Sequence, residues 1–300
     1  MPDDSAQLII RPEFEAQTIG IAHEGGIARA LTLYERVLEM NSVRKLSIVL
    51  GLVVLWELYT RIGGVSEYLL PPFSTTGTAL VKALWDENLL AMIGNSITIL
   101  LAGYVIGIVI AIVLTTLAVT SRFGSDLLGT LTAMLNPLPA IALLPMALLW
   151  FGLGADAIVF TLLHSVVWPV ALNTHTGFLG VSDTQRMVGR NYGLRGIVYV
   201  VKILIPAAFP SILTGLRIGW AYAWRTLIAA ELVFGGSIAD TEGTASGGLG
   251  WFIFANQMDL RIPYVFAGLF TVIVVGVLVE NVVFRNIEER TVARWGMRTP

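Results

Sequence analysis

The sequence predicts an all-α, polytopic membrane protein, and its composition and charge-free stretches carry that prediction. Of 300 residues, 55% are apolar and only 13% charged, against roughly 25% charged in an ordinary soluble domain. Asn88 to Ser121, Leu127 to Ala155, Ala157 to Ser182 and Ile262 to Val279 carry no charge at all. A helix needs about 20 mostly apolar residues to cross a hydrocarbon layer about 30 Å thick, so each stretch is long enough to span or nearly so. A net charge of -2 and dispersed basic residues speak against a nucleic-acid partner. The absence of cysteine excludes disulfides, thiolate nucleophiles and Cys-ligated metals.

Residues 1 to 45 are polar and acid-containing, with no short apolar stretch before a small-residue cleavage site, so no signal peptide is expected there. Residues 1 to 25 read as disordered and Gly26 to Met40 as a surface helix. Leu46 to Gly64, apolar apart from Glu57 and Arg61, predicts the first span. The next segment opens with Pro71-Pro72 and Ser74 and then sets Leu80, Val81, Leu84 and Trp85 on one helical face, predicting a short interfacial helix. Further spans are predicted at 94 to 120, 127 to 152 and 156 to 181. After a polar loop, 182 to 210, a fifth follows at 211 to 234, interrupted by Arg217, Arg225 and Glu231. The loop 235 to 262 is first rich in Gly, Ser and Thr, then apolar at Leu249, Trp251, Phe252 and Phe254, which predicts a segment dipping against the bundle. A sixth span at 263 to 284 completes a transmembrane domain of residues 46 to 284, followed by a tail, 285 to 300.

Basic loops stay on the cytoplasmic side. With the N-terminus inside, all of the 19 Lys and Arg except Arg61, Lys82, Arg217, Arg225 and Arg261 fall on the cytoplasmic face. Both termini and the loop 182 to 210 are therefore predicted to be cytoplasmic.

Uphill transport needs an energy source, but none of the three lysines, Lys45, Lys82 and Lys202, follows a glycine, so no phosphate-cradling Gly-Lys-Ser/Thr loop exists. Nor is there a HExxH pair, a GxSxG elbow or a carboxylate cluster. No catalytic residue, metal site or cofactor is predicted for this chain.

The most informative stretch is Ser182-Asp183-Thr184-Gln185-Arg186-Met187-Val188-Gly189-Arg190-Asn191-Tyr192-Gly193. Ser182 or Asp183 caps a helix there and Gly193 ends it. Gly193, nine further residues, Ile203, one more, Ile205 and Pro206 resemble the cytoplasmic coupling motif of binding-protein-dependent ABC importer permeases. Met187, Val188 and Gly189 stand where that motif has an acidic residue and two alanines. The resemblance runs from about residue 50 to 290 and is carried also by Pro71-Pro72, Pro137-Leu138-Pro139, Trp150-Phe151-Gly152-Leu153-Gly154, Trp168-Pro169, Asn173-Thr174, Gly215-Leu216-Arg217, Ala229-Ala230-Glu231 and Gly248-Leu249-Gly250. It looks most like the permeases for nitrate, sulfonate and taurine. The resemblance implies a type I importer fold of six spans with a coupling helix. It also implies a bacterial inner-membrane location, a second permease copy (a homodimer or a close relative), two ATPase subunits carrying ATP and Mg, and a soluble binding protein delivering a small anion. In that setting Ser182, Asp183, Met187, Gly189, Arg190, Tyr192, Gly193, Leu194 and Pro206 are expected to couple to the ATPase. The alternative reading is an ATP-independent channel or carrier with the same bundle.

Arg225 lies mid-span, where a charge must face protein or water. Either it lines the solute pathway, or it pairs with Glu57, Glu280 or carbonyls of another span. Glu231 is six positions on, about 240° around the helix, too far round to pair with it; lying near the outer end of the span, it is either structural or a pathway residue at an outer gate. Trp224 shares a face with Glu231 and is a further pathway candidate. In the fourth span His164, Trp168, Ala171 and His175 fall within about 40° of one line, a polar stripe that either packs between helices or touches solute. Asn136, before Pro137, and Asn173 complete the set, because proline frees a carbonyl that a neighbour or water must satisfy.

Overall fold

The computed structural model describes residues 41–242 and 247–295, and among them every regular element is helical. The chain divides into two compact units, Met1–Val54 and Leu55–Pro300. The described part of the first is helical and belongs to α1, Asn41–Ile62. The expected surface helix at Gly26 to Met40 lies outside the described residues. The second unit continues with α2 Phe73–Asp86, α3 Leu89–Thr120, α4 Arg122–Leu135, a 3-10 turn Ala140–Leu143, α5 Leu144–Phe151 and α6 Ala155–Leu179. Then come α7 Asp183–Asn191, α8 Gly196–Tyr199, α9 Ile205–Glu242, α10 Leu249–Met258, α11 Ile262–Leu278 and α12 Arg285–Arg290. π-wound segments at Val200–Leu204 and Val279–Phe284 lead into α9 and α12.

Four stretches among the described residues are long and apolar enough to cross a bilayer: Leu89–Thr120, Ala155–Leu179, Val200–Phe234 and Ile262–Arg290. A fifth crossing results if α4 and Ala140–Phe151 count as one broken span, for the two are bent by 87°. The span expected over 127 to 152 is thus broken, not one continuous helix. Pro137 and Pro139 supply no N–H to the helix ladder and clash with the preceding turn, so the chain breaks at Asn136 to Pro139. The fifth expected span is longer than 211 to 234, since the helix runs from the π-wound Val200–Leu204 straight into α9, the widened turn preceding Pro206, which has no N–H for the ladder. Helix α1, which carries Arg44, Lys45, Glu57 and Arg61, is not among the four.

Helix α2 forms where the Pro71-Pro72 signal and its apolar spacing place it, but it turns Thr76, Ala79 and Ala83 inward and leaves Val81 and Trp85 outward. Its small side chains fit the bundle, Leu80 and Leu84 pack partly buried against it, and Val81 and Trp85 are left for lipid or solvent. The dipping segment after the Gly-rich loop is α10, which buries Leu249, Gly250, Phe252, Ile253 and Asn256.

Helix α6 is the centre of the unit: 61% of its most apolar window is buried, against 28% or less in the other three stretches. It packs chiefly against α9 and α3. Glycine sets both contacts. A Cβ on Gly103 or Gly107 of α3 would lie 2.7 Å from Leu162 Cβ or 2.8 Å from Val166 Cβ, and one on Gly215 of α9 would lie 2.9 Å from Asn173 Cβ. In lipid, where apolar burial does not drive helices together, small residues that admit close backbone approach hold a bundle. Gly103, Gly107, Ala111, Thr115 and Ala118 all lie on the buried stripe of α3, while Val105, Val109 and Val113 are exposed and apolar, as a lipid-facing side requires. Polar bonds lock the packing: Tyr104 Oη donates to Leu216 O at 2.8 Å and stands edge-on to Trp220. Near the far end of the contact, Arg217 of α9 pairs with Glu280 and Glu288, each at 2.9 Å.

Gly107→Val should therefore lower thermal stability in detergent by about 1–3 kcal/mol through overpacking. Gly129→Ala, at a glycine with open space around it, should be neutral. Equal unfolding midpoints for the two variants would refute the role given to the α3–α6 contact.

Candidate functional site

The break at Asn136 to Pro139 makes one wall of a cavity of about 400 Å³, within the usual range for a small-ligand pocket. Asn136 to Ile141 supply that wall, α6 supplies His164, Ser165, Trp168 and Pro169, and α9 supplies Tyr222, Arg225, Thr226 and Ala229. The α9 residues are spaced by three or four and so share one helical face. Ser165 Oγ and Thr226 Oγ1 are 2.9 Å apart and tie the two helices at the cavity floor. His164 Nε2 and Trp168 Nε1 are buried and have no hydrogen-bond partner. The indole N–H can only donate, so Trp168 presents an unmet demand for an acceptor at this cavity.

Among the described residues, Arg225 is the only charged one lining the cavity. The carboxylates that sequence offered as its partners are engaged elsewhere. Glu57 pairs with Arg61 at 2.6 Å and accepts from Ser74 N and Oγ, and Glu280 pairs with Arg217. Arg225 has no ion pair among the described residues.

The structure thus brings Asn136, His164, Trp168 and Arg225 together and places the other pathway candidates apart. Trp224 is buried on the opposite side of α9, near Gly276 of α11. Asn173 donates its side-chain amide to the carbonyl of Pro169, one turn back in α6, at 2.7 Å. His175 lines a second cavity eleven residues further along α6. Glu231, 1% exposed, is enclosed at the start of α10. Ser96 of α3 donates to both of its oxygens, at 2.7 and 2.9 Å, and Gly250 N–H donates to Oε2 at 2.8 Å. Ser96 Oγ also accepts from Leu249 N–H at 2.8 Å. A side chain at Gly248 would run into the carboxylate. Together Glu231 and Ser96 satisfy the free donors of the α10 N-terminus, where negative charge is favoured.

At the other end of α6, Ser182 caps α7: its hydroxyl accepts from Gln185 N–H at 3.4 Å and donates to Gln185 Oε1 at 3.2 Å. Helix α7 ends in a Schellman turn, with Leu194 N–H on Gly189 O at 3.1 Å, Gly193 N–H on Arg190 O at 2.9 Å, and Gly193 at φ 71°. Arg186 binds α7 back to α6, donating to Val181 O at 3.0 Å and Phe178 O at 2.6 Å. Gly189 is buried so closely that a Cβ would meet the Tyr199 ring at 2.8 Å and Ile203 Cγ1 at 2.9 Å. The opposite face presents Met187, Val188 and Tyr192, the last 81% exposed, together with Asp183 and Arg190. Leu194 is half-buried and Pro206 sits in the first turn of α9.

Residues 103–292 match the family described as "Binding-protein-dependent transport system inner membrane component". The chain belongs to this family. It is 29% identical over 278 residues, 89% of the chain and 96% of its relative, to a putative ABC transporter permease protein of Methanocaldococcus jannaschii. It is 28% identical over 249 residues, 82% and 89% of the two chains, to a putative aliphatic sulfonates transport permease protein of Escherichia coli. To a nitrate import permease protein of Synechocystis it is 32% identical over 196 residues, 65% and 68% of the two. The chain is therefore an ABC transporter permease, a membrane-embedded subunit of a family whose members are not themselves catalytic.

Sequence reasoning left Ser165, Tyr222 and Thr226 out of the permease's cavity set. Positions 222 and 226 were accessible, because they share the face of Arg225 by helical spacing. Ser96 had no local signal, since its carboxylate partner is 135 residues away.

Ser96→Ala removes the acceptor of Leu249 N–H and the one hydroxyl donor shared between the Glu231 oxygens, so it should cost about 1–3 kcal/mol of stability, the usual penalty for stranded buried polar groups. Thermal unfolding of the purified permease measures the loss, and wild-type stability would remove the capping role.

Proposed function

We propose that this permease is one of two membrane subunits of an ATP-driven importer that carries a small anion inward by alternating access. In this reading the chain has six spans, with α1 and the broken α4–α5 pair completing the four long helices and both termini in the cytoplasm. The second subunit is another copy or a close relative. Two ATPase subunits hold ATP and Mg, and a soluble binding protein delivers the solute from outside.

The observation that carries the anionic solute is Arg225: an unpaired cation in a spanning helix, on a cavity with no carboxylate in its lining. A lone charge at mid-membrane costs at least about 2.5–3.5 kcal/mol on insertion scales, so its retention demands a compensating role. Trp168 Nε1 adds a buried donor at the same cavity. The two relatives named for a solute carry sulfonates and nitrate, both anions. A taurine-like sulfonate, nitrate or an organic carboxylate fits the chemistry.

Coupling follows from the attachment of α7. Met187, Val188 and Tyr192 give it an apolar outer face for a groove on the ATPase, while Arg186 and the Gly189 contact fix its inner face. A displacement of α7 is thus passed to the end of α6, whose other half lines the cavity through His164 and Trp168.

Two variants test the two halves of the proposal. Arg225→Gln should lower solute uptake in proteoliposomes about tenfold or more, since a cation about 4 Å from an anion contributes about 4 kcal/mol at an effective dielectric of about 20. Arg225→Lys should restore part of it, because attraction does not need the planar fork. Unchanged uptake by a stably assembled Arg225→Gln complex would remove Arg225 from the pathway. Gly193→Val forces a β-branched residue into a left-handed conformation at a cost of about 1–2 kcal/mol, so it should disturb α7 and separate ATP hydrolysis from uptake. A normal ratio of solute moved to ATP hydrolysed would sink the docking role of α7.

A further inference from the structure

The polar stripe of α6 ends at a second cavity, of about 370 Å³, between the end of α3, the start of α4 and the end of α6. Its floor is polar and basic, with Ser121, Arg122, Ser125, His175 and Arg186, and no Asp or Glu lines it. Arg122 and His175 have no hydrogen bond or ion pair among the described residues. Arg186 gives Nε and Nη2 to the carbonyls of Val181 and Phe178, which leaves Nη1 for a further acceptor. Two guanidinium groups and an imidazole with no counter-charge form a site for an anion.

The rim sets what kind of anion. Val119 and Leu179, which also line the cavity, are 42% and 67% exposed, and Phe123, next to Arg122 in the first turn of α4, is 78% exposed. Val119 and Leu179 lie at the ends of two helices long and apolar enough to span the bilayer, so a basic floor meets an apolar rim at the membrane boundary. An acyl chain covers such a rim, and a free oxyanion does not.

We infer that this cavity binds the headgroup phosphate of an anionic phospholipid, with the phosphate on Arg122, Ser125 and Arg186 and the chains along Val119, Phe123 and Leu179. Basic pockets between helices at the cytoplasmic face are suited to such headgroups. The lipid shares Arg186 with α7, so it touches the guanidinium that ties that helix to the bundle. The site goes beyond the transport reading and does not depend on which solute is carried.

Native mass spectrometry of the full chain, purified with its co-purifying subunits, tests the site by comparing retention of phosphatidylglycerol and phosphatidylcholine. Phosphatidylglycerol should be retained in preference. Arg122→Gln should weaken its retention about fivefold, the worth of one basic residue at an anionic lipid surface. Ser125→Asp, which brings a carboxylate to the floor without removing a cation, should weaken it as well, and Lys82→Gln, the same charge change away from the cavity, should not. Equal retention of the two lipids, or retention unaltered by both cavity variants, would overturn the assignment. Preference of the site for inorganic phosphate over phosphatidylglycerol at equal concentrations would also overturn it, by giving the floor to a free anion.

Discussion

Helix α6 has to approach α3 and α9 so closely that the facing positions have no room for a Cβ. Gly103 and Gly107 meet it from one side, Gly215 and Gly219 from the other, and its own Gly177 lies against Ser211. Between lipid-solvated helices this contact has to be dispersion and close fit, because lipid tails are as apolar as leucine. With α6 wedged in this way, its two ends become fixed reference points. One carries half of the Arg225 cavity, and the other holds α7 through the carbonyls of Phe178 and Val181.

The charges inside the bundle divide by how they are satisfied. Arg217 has two carboxylates from the end of α11 and α12, and lies beside the Phe284 ring at 5.9 Å. Glu231 has no cation and instead receives hydroxyl and backbone donors at the start of α10. Each is anchored by residues far away in sequence, so each also fixes tertiary structure. Arg225 stands outside this scheme: it has no ion pair among the described residues and lines the cavity instead.

Proline gives the cavity its wall. An uninterrupted helix over 127 to 152 would lie along its neighbours with no recess, whereas the 87° bend swings Pro137 to Ile141 against α6 and α9. Pro169 also lacks an N–H for the ladder, yet α6 runs on through it from Ala155 to Leu179. Proline thus breaks the chain at 136 to 139 and is accommodated inside α6.

Hydropathy was enough to read the membrane class and the position of most helices, and capping preferences gave the cap at Ser182 and the stop at Gly193, because these depend on residues within a turn or two of one another. The grouping of Tyr222, Arg225, Thr226 and Ala229 is equally local and follows from helical spacing. Which carboxylate each arginine takes was not legible. Arg217 and Arg225 are both mid-helix cations one to two turns from small or aromatic residues, and only the approach of α11 and α12 to one of them distinguishes the pair. The same holds for Glu231, whose environment is built by Ser96 and Gly250 from two other helices, and for the polar stripe of α6, whose members open onto two different cavities. Helix formation is settled by short-range periodicity, but compensation of a charge in a low-dielectric interior is settled by whatever packs beside it, and that neighbour is chosen only when the chain closes on itself.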